Sequence, residues 1–226
     1  MPHYSEDFFA RQKVDSYQSA QVVVPELLKS LKISSVVDIG CGLGAWLKVF
    51  EENGISDYQG LDGDWVDQSN LLIPRAKFVV RELENDFDLT RKFDLAVCLE
   101  LAEHLSATRA DSLIKFLTKL SPVVLFSAAI PGQDLPGKMN HINEQWPEYW
   151  ATKFAANNFL AIDYLRDKIW LNDQVKYWYQ QNILLYMSTE FLDKNKQWQK
   201  FLVEPKKIVH IHPKTYQAIL NYYQGK

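Results

Sequence analysis

Apolar positions along this chain switch between two periods. Residues 36–39, 58–61, 76–80, 93–99 and 123–126 are short runs rich in β-branched, aromatic and other apolar residues, and each reads as a buried strand. Between them the spacing lengthens to that of a helix. Ala20, Val23, Val24, Leu27, Leu28 and Leu31 form one such set, and Leu43, Trp46, Leu47 and Phe50 a second. Leu113, Phe116, Leu117 and Leu120 form a third, within residues 108–120. The alternation predicts an α/β fold, a doubly wound Rossmann-like sheet that is mostly parallel, with ligands at the carboxyl ends of its strands. The first helix is expected to start at a cap on Asp15 or Ser16 and to kink or break at Pro25. Tyr4 and Phe8 ahead of it read as packing aromatics, with a lid over the ligand as the alternative.

Further along, residues 65–70 read as a short helix or loop. Residues 131–143, with Gly132, Pro136, Gly137 and His141, read as a polar loop that orders over bound ligands. A helix over 146–157 carries Pro147 in its first turn. Two last strands are predicted over 160–164 and 179–187, and from Glu190 a lysine-rich tail ends in a short helix over 216–222. Trp146, Tyr149 and Trp150 share one helical face. Core packing explains them first, a stacking wall for a flat acceptor second.

The turn after the first strand carries candidate chemistry. Asp38-Ile39-Gly40-Cys41-Gly42-Leu43-Gly44 makes a bend almost bare of side chains, running into a helix N-terminus. It formally satisfies the G-x-G-x-x-A dinucleotide pattern through Gly40, Gly42 and Ala45. Asp38 argues against that ligand, since a carboxylate there repels a pyrophosphate. Asp-x-Gly-x-Gly-x-Gly instead resembles the first motif of class I S-adenosylmethionine-dependent methyltransferases. The resemblance covers about residues 1–187, leaving 188–226 as an extension, and implies a domain with an N-terminal helical lid and an antiparallel strand at the sheet's edge. It also implies S-adenosyl-L-methionine as cofactor, held by Asp38, Gly40, Cys41, Gly42, Gly44 and Leu99. Asp62, at the end of the second strand and about twenty residues past Gly40, is placed to accept the ribose hydroxyls, with Gly63 beside it. By the same resemblance Glu82 and Leu83 approach the adenine.

Composition narrows the partners. The chain has 226 residues, 47% hydrophobic and 23% charged, with net charge −3, which suits one globular domain and no general affinity for nucleic acid or membrane. Cys41 and Cys98 are the only cysteines and read as small buried residues in a reducing compartment. No signal-peptide pattern opens the sequence and no stretch is long enough to span a bilayer, so a cytoplasmic location is expected.

Glu100-Leu101-Ala102-Glu103-His104 follows the fourth strand. On a helical turn Glu100, Glu103 and His104 would share one face, a donor set suited to a divalent metal such as Mg, Mn or Zn. Glu-x-x-Glu-His at this place is similar to the small-RNA 3′-terminal 2′-O-methyltransferases and the ubiquinone-pathway O-methyltransferases, which implies a metal on Glu100, Glu103, His104 and His141. Without metal, His104 or His141 is the candidate catalytic base. The stretches 127–133 and 141–150 look instead like an uncharacterised bacterial methyltransferase group associated with glycan and secondary-metabolite synthesis. The expected reaction is O-methylation of a small hydroxylated acceptor, with a peptide carboxylate or an RNA 3′ end as alternatives. A nicotinamide-dependent reductase and an inactive binding domain are the distant ones. His210 and His212 read as surface histidines.

Overall fold

The computed structural model describes residues 6–135 and 140–225, with 6–13 described by their backbone alone. Tyr4, Pro136, Gly137 and the side chain of Phe8 lie outside the described residues. The elements, in order, are α1 (Glu6–Leu28), β1 (Ser35–Ile39), α2 (Ala45–Glu52), β2 (Asp57–Asp62), β3 (Phe78–Val80), β4 (Leu95–Leu99), α3 (Ala110–Leu120) and β5 (Val123–Ser127). Then come α4 (Pro147–Ala155), β6 (Phe159–Ile162), α5 (Arg166–Ile169), α6 (Tyr177–Asn182), β7 (Leu184–Ser188), α7 (Thr189–Lys194) and α8 (Pro213–Tyr223).

The described strands form one sheet in the order β3-β2-β1-β4-β5-β7-β6. Pairings from β3 to β5 are parallel, and β7 is antiparallel to both β5 and β6. The expected fold class holds, with the antiparallel strand one place in from the edge. Strand alternation divides the core between the two faces of the sheet. Val36, Leu95, Val97, Val123 and Leu125 pack beneath α1 and α2. Val37, Ala96, Cys98, Val124 and Phe126 pack against α3 and α4. Asp38 falls in the same alternation as Val36 and so turns toward the α1 and α2 side.

Two elements, α1 and β7, differ from the sequence reading. α1 does not start at Asp15: that carboxylate pairs with Lys176, and its carbonyl accepts from Ser19 Oγ. Nor does Pro25 break the helix, since Lys29 N–H still closes the turn on the Pro25 carbonyl at 3.2 Å. The predicted strand over 179–187 begins only at Leu184, because the polar run Gln180–Asn182 belongs to α6. There Gln180 Nε2 donates to the carbonyls of Ile169 and Asn172 at 2.8 Å each.

Residues 201–203 run back along β6, the outer strand of the sheet. Val203 N–H donates to the Ala161 carbonyl and Asp163 N–H to that of Phe201, at 3.1 and 2.9 Å. Trp198 and Ile208 are buried with the core. His210 is exposed as expected, but His212 is buried. Its ring caps α8 by accepting from Lys214 N–H, and its backbone N–H donates to Gln181 Oε1 at 2.9 Å.

Candidate active site

At the end of β1 the chain must turn sharply to enter α2. Gly40, Gly42 and Gly44 do this with φ of 80°, 52° and 81°, values L side chains rarely adopt. The turn is pinned from β2. Gly40 N–H donates to the Leu61 carbonyl at 2.8 Å, and Asp62 accepts from Gly42 N–H at 2.6 Å and Gly63 N–H at 2.7 Å. Burial raises the Asp62 pKa to about 6, against the pull of those two N–H groups.

Beside the turn opens a cleft lined by Ser16, Asp38, Gly40, Cys41, Gly42, Leu43, Ala45, Trp46, Leu99, Glu100 and Tyr179. The elements bringing these together lie far apart in sequence: α1, β1, α2, the end of β4, and α6. Asp38 is 3% exposed, and burial together with the neighbouring Asp62 raises its pKa well above the usual carboxylate range. Such a carboxylate favours a cationic ligand group. The indole Nε1 of Trp46 is buried beside Tyr179. An acidic group and a buried donor on a bare turn suit the zwitterionic amino-acid end of S-adenosylmethionine, and the donor set fits that cofactor.

On the nucleoside side the residues divide between core and surface. Leu83 is 1% exposed in the α3-side core, and Glu82 is exposed. Trp65 lies against Gly63 so closely that a Cβ there would meet its ring at 2.1 Å. Asp62, Gly63, Glu82 and Leu83 lie outside the lining of the cavity that holds Asp38, the glycine turn and Leu99.

The chain past β4 is bent. Glu100 has φ 49°, an unusual backbone state costing a non-glycine residue roughly 1–2 kcal/mol. Only Ala102–His104 then form a 3₁₀ turn, so Glu100 does not stand on one regular helical face with Glu103 and His104. Its carboxylate turns to the cavity and is held by neutral amides. Gln133 Nε2 donates to Oε2 at 2.9 Å and Asn182 Nδ2 to Oε1 at 3.2 Å. Burial raises its pKa while Ser127, Asn182 and Gln133 oppose the rise.

Glu103, His104 and His141 do converge, with candidate ligand atoms within 4.8 Å of one another. The loop is clipped into place because Ile142 and Asn143 both donate to the Glu103 carbonyl, at 2.9 and 3.0 Å. His141 Nδ1 is 2.8 Å from Glu144 Oε1, and Glu144 also accepts from Gly132 and Asp134 N–H. The carboxylate thereby fixes the ring and leaves Nε2 as the ligand atom, a familiar support for metal-binding histidine. Glu103 is fully buried, and neither carboxyl oxygen meets a hydrogen-bond donor at normal geometry. Burial, then the charge of Glu100, pushes its pKa well up. Burial and His141 lower His104 to about 4, so it is neutral at pH 7. One carboxylate and two imidazoles suit a divalent transition metal, and the buried carboxyl oxygens of Glu103 mark where a cation fits.

Sequence reasoning missed Ser16, Trp65, Gln133, Gln181 and Asn182. Short neutral side chains carry no spacing signal, and Ser16 meets Tyr179 across 163 positions. The Trp146 to Trp150 face is split: Trp150 is 2% exposed and packs on Phe126, whereas Trp146 is 44% exposed.

Comparison with known proteins agrees with this geometry. The solved structure of magnesium protoporphyrin IX methyltransferase from Synechocystis PCC 6803, with bound S-adenosylhomocysteine, is similar in fold: TM-score 0.56, 16% identity, 84% of this chain and 90% of that one covered. The sugar N-methyltransferase KedS8 from Streptoalloteichus sp ATCC 53650 gives TM-score 0.59 at 14% identity, covering 83% and 94%. CalS10 from Micromonospora echinaspora, an amino pentose methyltransferase, gives 0.56 at 14%, covering 84% and 99%. No curated protein matches the chain. Among the described residues no helix is long and apolar enough to cross a membrane. The family model of the methyltransferase domain matches residues 10–170, and the chain belongs to that family.

Proposed function

We propose that the chain transfers the methyl group of S-adenosylmethionine to a hydroxyl of a small polar acceptor, a glycan or natural-product intermediate, with Glu103, His104 and His141 holding a divalent cation on the acceptor side. The observation that carries the reading is the bare glycine turn between Asp38 and Asp62, opening on an acidic cavity. The sugars named for two structures of similar fold support the acceptor class.

When bound, the cofactor supplies a methyl group already activated on sulfur, and the cation lowers the pKa of a hydroxyl beside it. The chain's part is positioning. Asp38 meets a cationic group, Asp62 accepts ribose hydroxyls with lone pairs not used by Gly42 and Gly63, and Glu100 is held rigid at the cavity wall. Leu99 and Trp46 exclude water from the reacting line. His104, with a pKa of about 4, is a poor base at neutral pH, which favours ligation over proton abstraction.

Two titrations test this. Calorimetry should give micromolar S-adenosylhomocysteine binding and none with NAD; the reverse pattern overturns the cofactor assignment. Dialysed protein should take up one equivalent of Mn²⁺ or Zn²⁺. Uptake unaltered in His141→Ala would remove the metal site while leaving the methyltransferase reading intact.

A further inference from the structure

Glu100 is reached from a part of the chain that the proposed function leaves unused. The backbone N–H of His212, at the cap of α8, donates to Gln181 Oε1 at 2.9 Å. Gln181 Nε2 donates in turn to Asn182 Oδ1 at 2.9 Å and to Gln133 Oε1 at 3.4 Å. Asn182 Nδ2 donates to Gln133 Oε1 at 2.9 Å and to Glu100 Oε1 at 3.2 Å. Gln133 Nε2 closes the path on Glu100 Oε2 at 2.9 Å. Gln181, Asn182 and His212 are buried, and all three lie beyond residue 170, where the match to the methyltransferase domain ends.

This path has a direction. A side-chain amide has an acceptor at one end and donors at the other, and a flip exchanges them. A backbone N–H can only donate, so His212 turns the oxygen of Gln181 toward itself and the amino group toward Asn182. Asn182 must then answer with its oxygen, which leaves its own amino group for Glu100. Gln133 is fixed in the same sense, because its oxygen accepts from both amides and, at 3.4 Å, from Ile130 N–H. Both oxygens of Glu100 thus receive donors, and its carboxylate is held in one pose on the cleft it lines with Asp38 and Leu99. The buried Arg166 guanidinium fastens the two ends of the path, donating to the carbonyls of Gln181 and Ile208 at 3.3 and 2.8 Å.

We infer that the His212 N–H, Gln181 and Asn182 are positioning groups that aim the Glu100 carboxylate into the cleft, which makes the C-terminal extension a working part of the methyl-transfer site. The inference rests on the proposed cofactor. A carboxylate held there by neutral donors attracts a cationic sulfur more than a neutral one. S-adenosylmethionine carries that charge and S-adenosylhomocysteine does not. The ratio of the two affinities therefore reads the pose of Glu100, and losses of stability common to both ligands cancel from it.

Calorimetric titration of the full chain with both ligands gives that ratio. Glu100→Gln should lower the preference for S-adenosylmethionine, relative to wild type, by at least about tenfold. Gln181→Met keeps the side chain's length and removes its amide. It should lower the preference by at least about threefold, and should add nothing in the Glu100→Gln background. His212→Pro suits the φ of −70° at that position and removes the N–H. It should repeat the Gln181→Met result, whereas His212→Ala, which loses only the ring, should not; this pair serves should Gln181→Met fail to fold. A ratio unmoved by both Gln181→Met and His212→Pro, or moved equally with and without Glu100, overturns the inference, as does a ratio unmoved by Glu100→Gln. Wild-type protein that binds neither ligand overturns the cofactor reading instead.

Discussion

Two regions along one sheet edge treat buried carboxylates in opposite ways. On the β1–β2 side Asp62 accepts two backbone N–H groups at 2.6 and 2.7 Å. On the β4–β5 side Glu103 is as deeply buried, yet neither oxygen meets a donor at normal hydrogen-bond geometry. Glu100 lies between these extremes, held by side-chain amides. A carboxylate satisfied by the backbone shapes a turn whether or not ligand is present. One left bare in a dry site carries a desolvation cost that a cation relieves. The first region is therefore set by the fold, and the second is completed by what it binds.

The strongest way to break this contrast is to neutralise the bare carboxylate. Glu103→Gln should weaken Mn²⁺ or Zn²⁺ binding by more than about a hundredfold, beyond the tenfold to hundredfold typical of supporting residues. S-adenosylhomocysteine affinity, measured in the same calorimeter, should stay within about twofold. Loss of both would show that the two regions are not separable.

Asp62→Ala should have the converse pattern: cofactor affinity down about tenfold to a hundredfold, metal binding unchanged. A folded variant with wild-type affinity would leave Asp62 as a turn brace alone.

Acidity sharpens the same point more gently. The Asp62 pKa is raised to about 6, and the ionised form is the one that accepts ribose hydroxyls. Affinity for S-adenosylhomocysteine should thus fall as pH drops through about 6, by up to about tenfold per unit. Asp62→Asn should flatten that profile. The linkage has a cost in the other direction: a raised folded-state pKa makes the unliganded protein less stable as pH rises from about 4 to about 6.

The smallest effect concerns stability without metal. Glu103 also has a raised pKa, so its ionised form destabilises the fold near pH 7. Glu103→Gln should raise the melting temperature of metal-free protein by about 2–4 °C, the shift given by about 1 kcal/mol in a chain of this size. A fall of similar size would mean that the carboxylate already has a partner.

The same contrast separates what sequence made legible from what it did not. β1, β4 and β5 are strands buried on both faces, and such strands are written as largely apolar runs. The glycine turn was readable because its φ values favour glycine. The grouping of His141 with Glu103 and His104 came from the family resemblance, and its geometry was not readable: the left-handed backbone at Glu100 is invisible to helical spacing. The amide cage from Gln133 and Asn182 was hidden for a different reason. Neutral side chains look alike in a loop, in a helix and in a site. Tertiary contact alone gives them meaning, as it does for Ser16 and Tyr179. His212 shows the same limit, since its burial depends on Gln181 and on the Lys214 N–H it caps.

The fold-back of residues 201–203 along β6 bears on how the protein behaves in a crowded solution. An uncovered outer strand is a template on which other chains can add, and natural sheets blunt such edges. Here the isolated bridge between Ile162 and Leu202, with the backbone bonds of Asp163 and Val203 on either side of it, occupies that edge. The opposite edge, β3, is three residues long and offers little to pair with. A chain ending at Ser188 would bare the Ile162 side of β6 together with the apolar surface now beneath Trp198 and Ile208. Its expected fate is aggregation from the sheet's rim.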